Sequence, residues 1–390
     1  MYRHMRLRSD HSFQKYPFIF LGFFATIVIV VFAFRIAFSP CIDVVVGDSI
    51  PGSQGYRVWF GETLQTFEHS NRKVCVPEGW ESVGQIREGN GWVRFESGRT
   101  GVLIRPDAFF EKTITLQTSS YVLRVLFPIT TADADVVEYL QTIEAIFNRA
   151  GALFGDEAIG KAKTHTVLVT AELDVFFDEG EAVYPDPREN LTVFVRKPAD
   201  IRGEELFIHA VMHLYNRFNT EFVTYQKTQK PFGREDMQEL EATWAETAFR
   251  SSERGREQRV SYLYTVHRAV QERRFDLISE PPFNNESLFD TIVPNVLVES
   301  ETSDINIQYG HYVLGPLAMV AIDGLLQEQN APVDVETILT RLHTGAARNF
   351  LDEVSRYITP EQKNEVVKWM MSGVTIPTHP IQSALNYYNR

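Results

Sequence analysis

The first strong feature in the polarity pattern is an apolar run from Pro17 to Phe38, broken only by Arg35. About 20 consecutive apolar residues cross a bilayer as a helix, so the pattern predicts a membrane anchor over residues 16–38. From 41 to about 130, short apolar runs (Tyr56–Phe60, Trp92–Phe95, Gly101–Ile104, Tyr121–Phe127) alternate with Gly, Asn, Pro and Ser. That punctuation predicts a small β-rich domain. At Asp133 the period lengthens. Val136, Val137, Leu140, Ile143, Ile146, Phe147 and Ala150 recur at helical spacing, with Asp133 or Asp135 as the candidate cap. Strands are predicted at 166–170 and 191–195, separated by an acidic, aromatic loop around 173–180. Beyond Val195 the pattern turns helical, over 203–219, 235–253, 257–275, 309–329, 346–358 and 361–373, and a tail follows at 376–390.

Charge gives this layout an orientation. Residues 1–15 carry Arg3, Arg6, Arg8 and Lys15 against Asp10, so the positive-inside rule places this tail in the cytoplasm and the bulk of a single-pass protein outside. The apolar run is long for a cleaved signal peptide, and Arg35 can snorkel to the headgroups. The 390 residues are 44% hydrophobic and 23% charged, with a formal net charge of -13. That composition supports a large core and lacks the basic footprint of a nucleic-acid binder. Cys41 and Cys75 are the two cysteines. An oxidising compartment permits a bridge between them, and two separate buried thiols are the alternative.

The stretch Gly203 to Phe218 holds the candidate chemistry. His209 and His213 are four residues apart, which on a helix puts them on one face. Imidazoles so placed can hold one zinc ion, as in the motif H-E-x-x-H; the alternative is a pair of core histidines bonded to backbone or amide groups. Ala210 occupies the motif's glutamate position. A catalytic zinc usually takes three protein ligands, so a third must come from elsewhere. The predicted helix that follows offers Glu246, beside Trp244 and among Ala245 and Ala248. Its other reading is an ordinary ion pair with Arg250, one turn on. The mixed-charge run Arg250 to Arg259 reads as a solvated helix end.

Together these residues resemble the glutamate-zincin metallopeptidases of the glycyl aminopeptidase and aminopeptidase N types. The resemblance rests on three segments, in order, within about residues 130–375. They are His209-Ala210-Val211-Met212-His213, then Trp244-Ala245-Glu246-Thr247-Ala248, similar to W-x-x-E-G, then Tyr312-Val313-Leu314-Gly315, similar to Y-x-K-G. It implies a peptidase MA-like domain over 131–375. It also implies one zinc ion on His209, His213 and Glu246, and a catalytic role for Tyr312, whose hydroxyl would stabilise an oxyanion. The family's general base is a glutamate, and Ala210 cannot replace it; losing a base typically forfeits roughly 10²–10⁴ in rate. Leu314 for the lysine and Thr247 for the glycine depart further. Glu205, one turn before His209, is the candidate substitute base, with Glu204 further round the helix.

The expected fold class is therefore α+β. A membrane helix leads to a β-rich domain (41–130), then a zincin-like α+β domain with a helical C-terminal lobe. The expected function is that of a membrane-anchored, extracytoplasmic, metallopeptidase-like protein whose hydrolysis is impaired or lost. Two alternatives stand beside it: an active zinc peptidase using another base, and a metal-free surface scaffold or binding protein. A peptide or protein ligand suits all three.

Overall fold

In the computed structural model of the chain, the described residues are 58–60, 64–67, 73–76, 79–83, 86–88, 92–94, 101–117, 122–155, 164–169, 192–195, 201–216, 234–272, 310–372 and 375–390. The predicted anchor, the basic tail and Cys41 lie outside them. Among the described residues, no helix is long and apolar enough to cross a membrane.

The described architecture is α+β: small sheets first, then a mostly helical body. The strands β1 (Val58–Phe60), β2 (Leu64–Phe67), β3 (Lys73–Cys75), β4 (Glu81–Val83), β5 (Ile86–Glu88), β6 (Trp92–Arg94) and β7 (Gly101–Ile104) form two antiparallel sheets. Their orders are β1-β2-β7-β4 and β3-β6-β5. A further sheet joins β8 (Phe109–Thr115), β9 (Val122–Pro128), β10 (Thr164–Val169) and β11 (Thr192–Val195) in the order β11-β10-β9-β8. Here β8 pairs antiparallel to β9, whereas β9, β10 and β11 run parallel. The last strands of the stretch expected to form the β-rich domain thus share a sheet with the strands that follow the first long helix. Leu123, Val125, Leu126 and Phe127 of β9 are all buried, as a strand covered on both faces requires.

Helix α1 (Asp133–Phe154) makes the crossover from β9 to its parallel neighbour β10. Ala132 is its N-cap and supplies no side-chain cap; Asp133 and Asp135 sit in the first turn instead, where negative charge complements the helix dipole. Val136, Tyr139, Ile143, Ile146, Phe147 and Ala150 line its buried face, while Val137, expected to face inward, is 54% exposed. The helix stops at Gly155, whose φ of 82° favours a residue without Cβ.

The helical body contains α2 (Ile201–Asn216), α3 (Arg234–Ala248) and α4 (Glu253–Glu272). A π-helical turn, Gly310–Leu314, then opens α5 (Gly315–Glu328), followed by α6 (Val335–His343), α7 (Phe350–Val354), α8 (Pro360–Ser372) and α9 (Thr378–Tyr388). Every residue of α5 from Gly315 to Leu326 is buried, as befits a helix enclosed on all sides. Two glycines allow its neighbours to come close. A Cβ on Gly315 would lie 1.6 Å from Leu240 Cδ2 of α3, and one on Gly324 would lie 1.7 Å from the Pro380 carbonyl oxygen of α9. The segment expected as a tail, 376–390, thus contains a docked helix that buries Pro380, Ile381, Ala384 and Leu385.

Helix α2 packs against both α1 and α3. All its residues from Phe207 to Asn216 are buried. The Phe147 ring lies 6.1 Å from Phe207 and 6.3 Å from Tyr215, and the Tyr215 hydroxyl donates to the Phe147 carbonyl at 3.2 Å. Fully burying one such aromatic contributes roughly 1.5–3 kcal/mol before the entropy of ordering. The result is a rigid seat for the two histidines.

Candidate metal centre

His209 and His213 project from one face of α2, with ring centroids 4.5 Å apart and an interplanar angle of 77°. Their Nε2 atoms approach to 2.9 Å. Glu239, near the start of α3, brings a carboxylate oxygen 3.4 Å from His209 Nε2 and 3.3 Å from His213 Nε2. The ligand atoms of these three residues lie within 4.8 Å of one another. Tetrahedral zinc with bonds near 2.0–2.1 Å separates its ligands by about 3.3 Å. The two nitrogen–oxygen distances match, and the nitrogen pair is a few tenths of an ångström closer.

The far side of each imidazole shows why both Nε2 atoms face inward. His209 Nδ1 lies 2.8 Å from Glu246 Oε1, and His213 Nδ1 lies 3.4 Å from Asn216 Oδ1. Both partners are acceptors, so each ring can donate through Nδ1, which turns its Nε2 toward Glu239. Nδ1 of each ring is taken by an oxygen acceptor and both Nε2 atoms lie on the Glu239 side, an arrangement in which two imidazoles and a carboxylate could hold a divalent metal. Asn216 is itself fixed to α3. Its Nδ2 donates to the Gln238 carbonyl at 3.1 Å, and Gln238 Nε2 returns a bond to the Asn216 carbonyl at 3.3 Å.

The charge balance points the same way. Burial opposes the charged form of His209, but the hydrogen bonds to Glu239 and Glu246 outweigh it and lift its pKa to about 9. Burial likewise opposes ionisation of Glu239, and the bonds from His209 and His213 overcome it, holding the carboxyl well below the usual carboxylate range. His209 thus holds a proton between Glu239 and Glu246, and a metal ion bound at the cluster would take that proton's place.

His209 and His213 converge. Glu246, expected as the third ligand, contacts the opposite nitrogen of His209, while Glu239 stands beside both Nε2 atoms. The two glutamates are seven residues apart on α3, about two turns, and therefore share a face. That spacing is the sequence signal for Glu239. Tyr312, in the π-helical turn, does reach the cluster. Its hydroxyl donates to Glu239 at 3.1 Å, and its ring stacks at 6.3 Å from that of His209.

Ala210 is 5% exposed within α2. Of the two carboxylates considered as stand-ins for a base, Glu205 is ion-paired to Arg250 and Glu204 accepts the Ser251 N–H at 2.8 Å. The run from Arg250 to Arg259, expected to be solvated, has both of these arginines buried. Arg250 Nε donates to the Glu246 carbonyl at 3.0 Å rather than to its carboxylate, which Arg259 of α4 holds.

Two histidines one turn apart and a glutamate from the next helix make a His-His-Glu cluster that could hold one metal ion, with a tyrosine over it. No family model matches the chain, and no curated protein matches it. Among solved structures, the chain is similar to the crystal structure of an aminopeptidase N family protein from Idiomarina loihiensis. The identity is 11% and the TM-score 0.42, over 82% of this chain and 58% of that one. This chain thus spans a little over half the length of that protein.

Proposed function

We propose that the chain is a zinc-binding, metallopeptidase-like protein in which the metal site persists while peptide hydrolysis is weak or lost. The observation that carries this reading is the convergence of His209 Nε2, His213 Nε2 and Glu239, with both Nδ1 atoms turned to oxygen acceptors. Bound zinc would supply a Lewis acid at that point. His209, His213 and Glu239 would hold it, Glu246 and Asn216 would orient the imidazoles, and Tyr312 would offer its hydroxyl to a ligand's developing negative oxygen. The step that lacks a residue is proton removal. Ala210 has no proton acceptor, and the carboxylate of Glu205 is engaged by arginine. This arrangement argues against an active peptidase using Glu205 as base. Against the metal-free scaffold stands the cluster of His209, His213 and Glu239, whose ligand atoms lie within 4.8 Å of one another although Glu246 is not part of it. We further propose that residues 16–38 anchor the protein, with the cluster on the extracytoplasmic side.

The test is the metal content of the detergent-purified full chain, beside a His213→Ala variant. One zinc per wild-type chain and little in the variant is the expected result. An equally metal-free wild type, after loading with zinc and desalting, would falsify the metal site. Extraction of the full chain by salt alone, without detergent, would remove the anchor from the proposal.

A further inference from the structure

Behind His209, on the side away from Glu239, a chain of buried charges crosses three helices. Glu246 of α3 bonds His209 Nδ1 at 2.8 Å through Oε1, and its Oε2 is ion-paired to Arg259 of α4. Arg259 also reaches Glu205 of α2, at 3.8 Å, and Glu205 is ion-paired in turn to Arg250. Arg250 is 2% exposed, and Arg259 and Glu246 are each 7% exposed.

Such an assembly is a poor way to stabilise a helical core. Desolvating buried ions offsets most of their attraction, and apolar replacements are often as stable or more so. What it supplies is orientation. A carboxylate held only by one imidazole can rotate about its side-chain torsions. Once Arg259 holds one oxygen, the other stays aimed at His209 Nδ1. The ring then presents Nε2, rather than Nδ1, toward His213 and Glu239. Because Arg259 also reaches Glu205 on the helix that carries the histidines, the placement of α4 against α2 is coupled to the direction of the His209 lone pair.

We infer that Arg259 is a positioning residue for the metal centre. Helix α4, which contributes no ligand, thereby sets how tightly and in what geometry the metal is held. This inference rests on the metal-binding reading above. Partners of ligating histidines typically change metal affinity by roughly 10–100-fold when removed. Arg259→Gln should therefore weaken zinc binding to the full chain by about that factor, read by competition with a chromophoric chelator. With cobalt(II) in place of zinc, the visible absorption bands should shift, because they report ligand geometry. Arg149→Gln is the control. It removes a part-buried ion pair with Glu336 and a bond to the Ala248 carbonyl, and should leave both affinity and cobalt spectrum unchanged.

A folded Arg259→Gln protein with wild-type affinity and spectrum overturns the inference, as does an equal effect in the control. Should that variant fail to fold, Arg259→Lys decides by the same two readouts, because it keeps the charge but not the forked guanidinium. An unchanged lysine variant then overturns the inference. A wild type that binds no metal removes the underlying reading and this inference with it. A wild type that binds, with His213→Ala that does not, puts only Arg259 at stake.

Discussion

A methyl group stands at the point where this kind of site needs a proton acceptor. Supplying one is the most direct trial of the degenerate-enzyme reading. Ala210→Glu in the zinc-loaded chain should raise the rate of cleavage of a fluorogenic peptide series by roughly 10²–10⁴ over wild type, the usual yield of a positioned base. No gain over wild type in a folded, zinc-replete variant would mean that more than the base is missing, with Leu314 and Thr247 the next positions to restore. At this scale the sequence conveyed the two histidines, because four-residue spacing fixes a face whatever surrounds it. It conveyed Tyr312 through its motif-like setting. Glu239 and Glu246, two turns apart on α3, are equivalent in phase, and only the axial position of α3 against α2 sets which of them stands beside both Nε2 atoms. Arg259 was read as solvated because a charge-rich run looks the same whether its counter-ions are water or buried glutamates on other helices.

Among the elements, α5, α6 and α9 are tied together by one buried carboxyl. Asp323 accepts the Val335 N–H at 2.7 Å through Oδ1, and its Oδ2 accepts the Tyr388 hydroxyl. Burial pushes its pKa up to about 7, against the bonds from Tyr388 and Val335 that lower it. The sign follows from the proton count. Between about pH 4 and pH 7 the folded chain keeps a proton that the unfolded chain releases, so Asp323 makes stability fall as pH rises through that window. Asp323→Asn should flatten this component. Urea midpoints measured from pH 4 to 8 should show the wild-type-minus-variant difference shrinking toward high pH, and a constant difference would refute the assignment. Helix α9 itself was legible in part. Pro380, Ile381, Ala384 and Leu385 have helical spacing, but three residues of Thr378-His379-Pro380 read as a loop until Gly324 is seen to make room for them. Helix α6 falls between the predicted helices 309–329 and 346–358 and is capped by Asp334, whose side chain accepts the Thr337 N–H at 2.7 Å. The regrouping of β8 and β9 with β10 and β11 was not legible, since parallel pairing across a 22-residue helix leaves no local trace.

For the whole molecule, the pattern of an apolar run, a β-rich stretch and a helical body was readable from periodicity alone, and the α+β class follows from it. What periodicity cannot supply is the mutual phase of helices, which is where the candidate chemistry resides. One feature of α3 bears on that phase. Glu239 and Glu246 face the histidines, whereas Glu241, fully buried, faces the opposite way, its carboxylate 3.5 Å from His343 Nε2 of α6. The helix thus carries carboxyl groups on two opposed sides, each beside histidine. Turning it by one residue would strand a carboxylate in apolar packing, at a cost of several kcal/mol. Helix α3 is keyed like a shaft with flats on both sides, and the key is cut whether or not a metal is present. Small zinc domains acquire their shape from the ion; this one is expected to have its shape beforehand. Chelator-stripped and zinc-loaded chains should therefore give the same far-ultraviolet circular dichroism, and a loss of helix on stripping would refute this. On the metal-binding reading, loading is then a step separable from folding, and folded, unloaded molecules can wait for their ion.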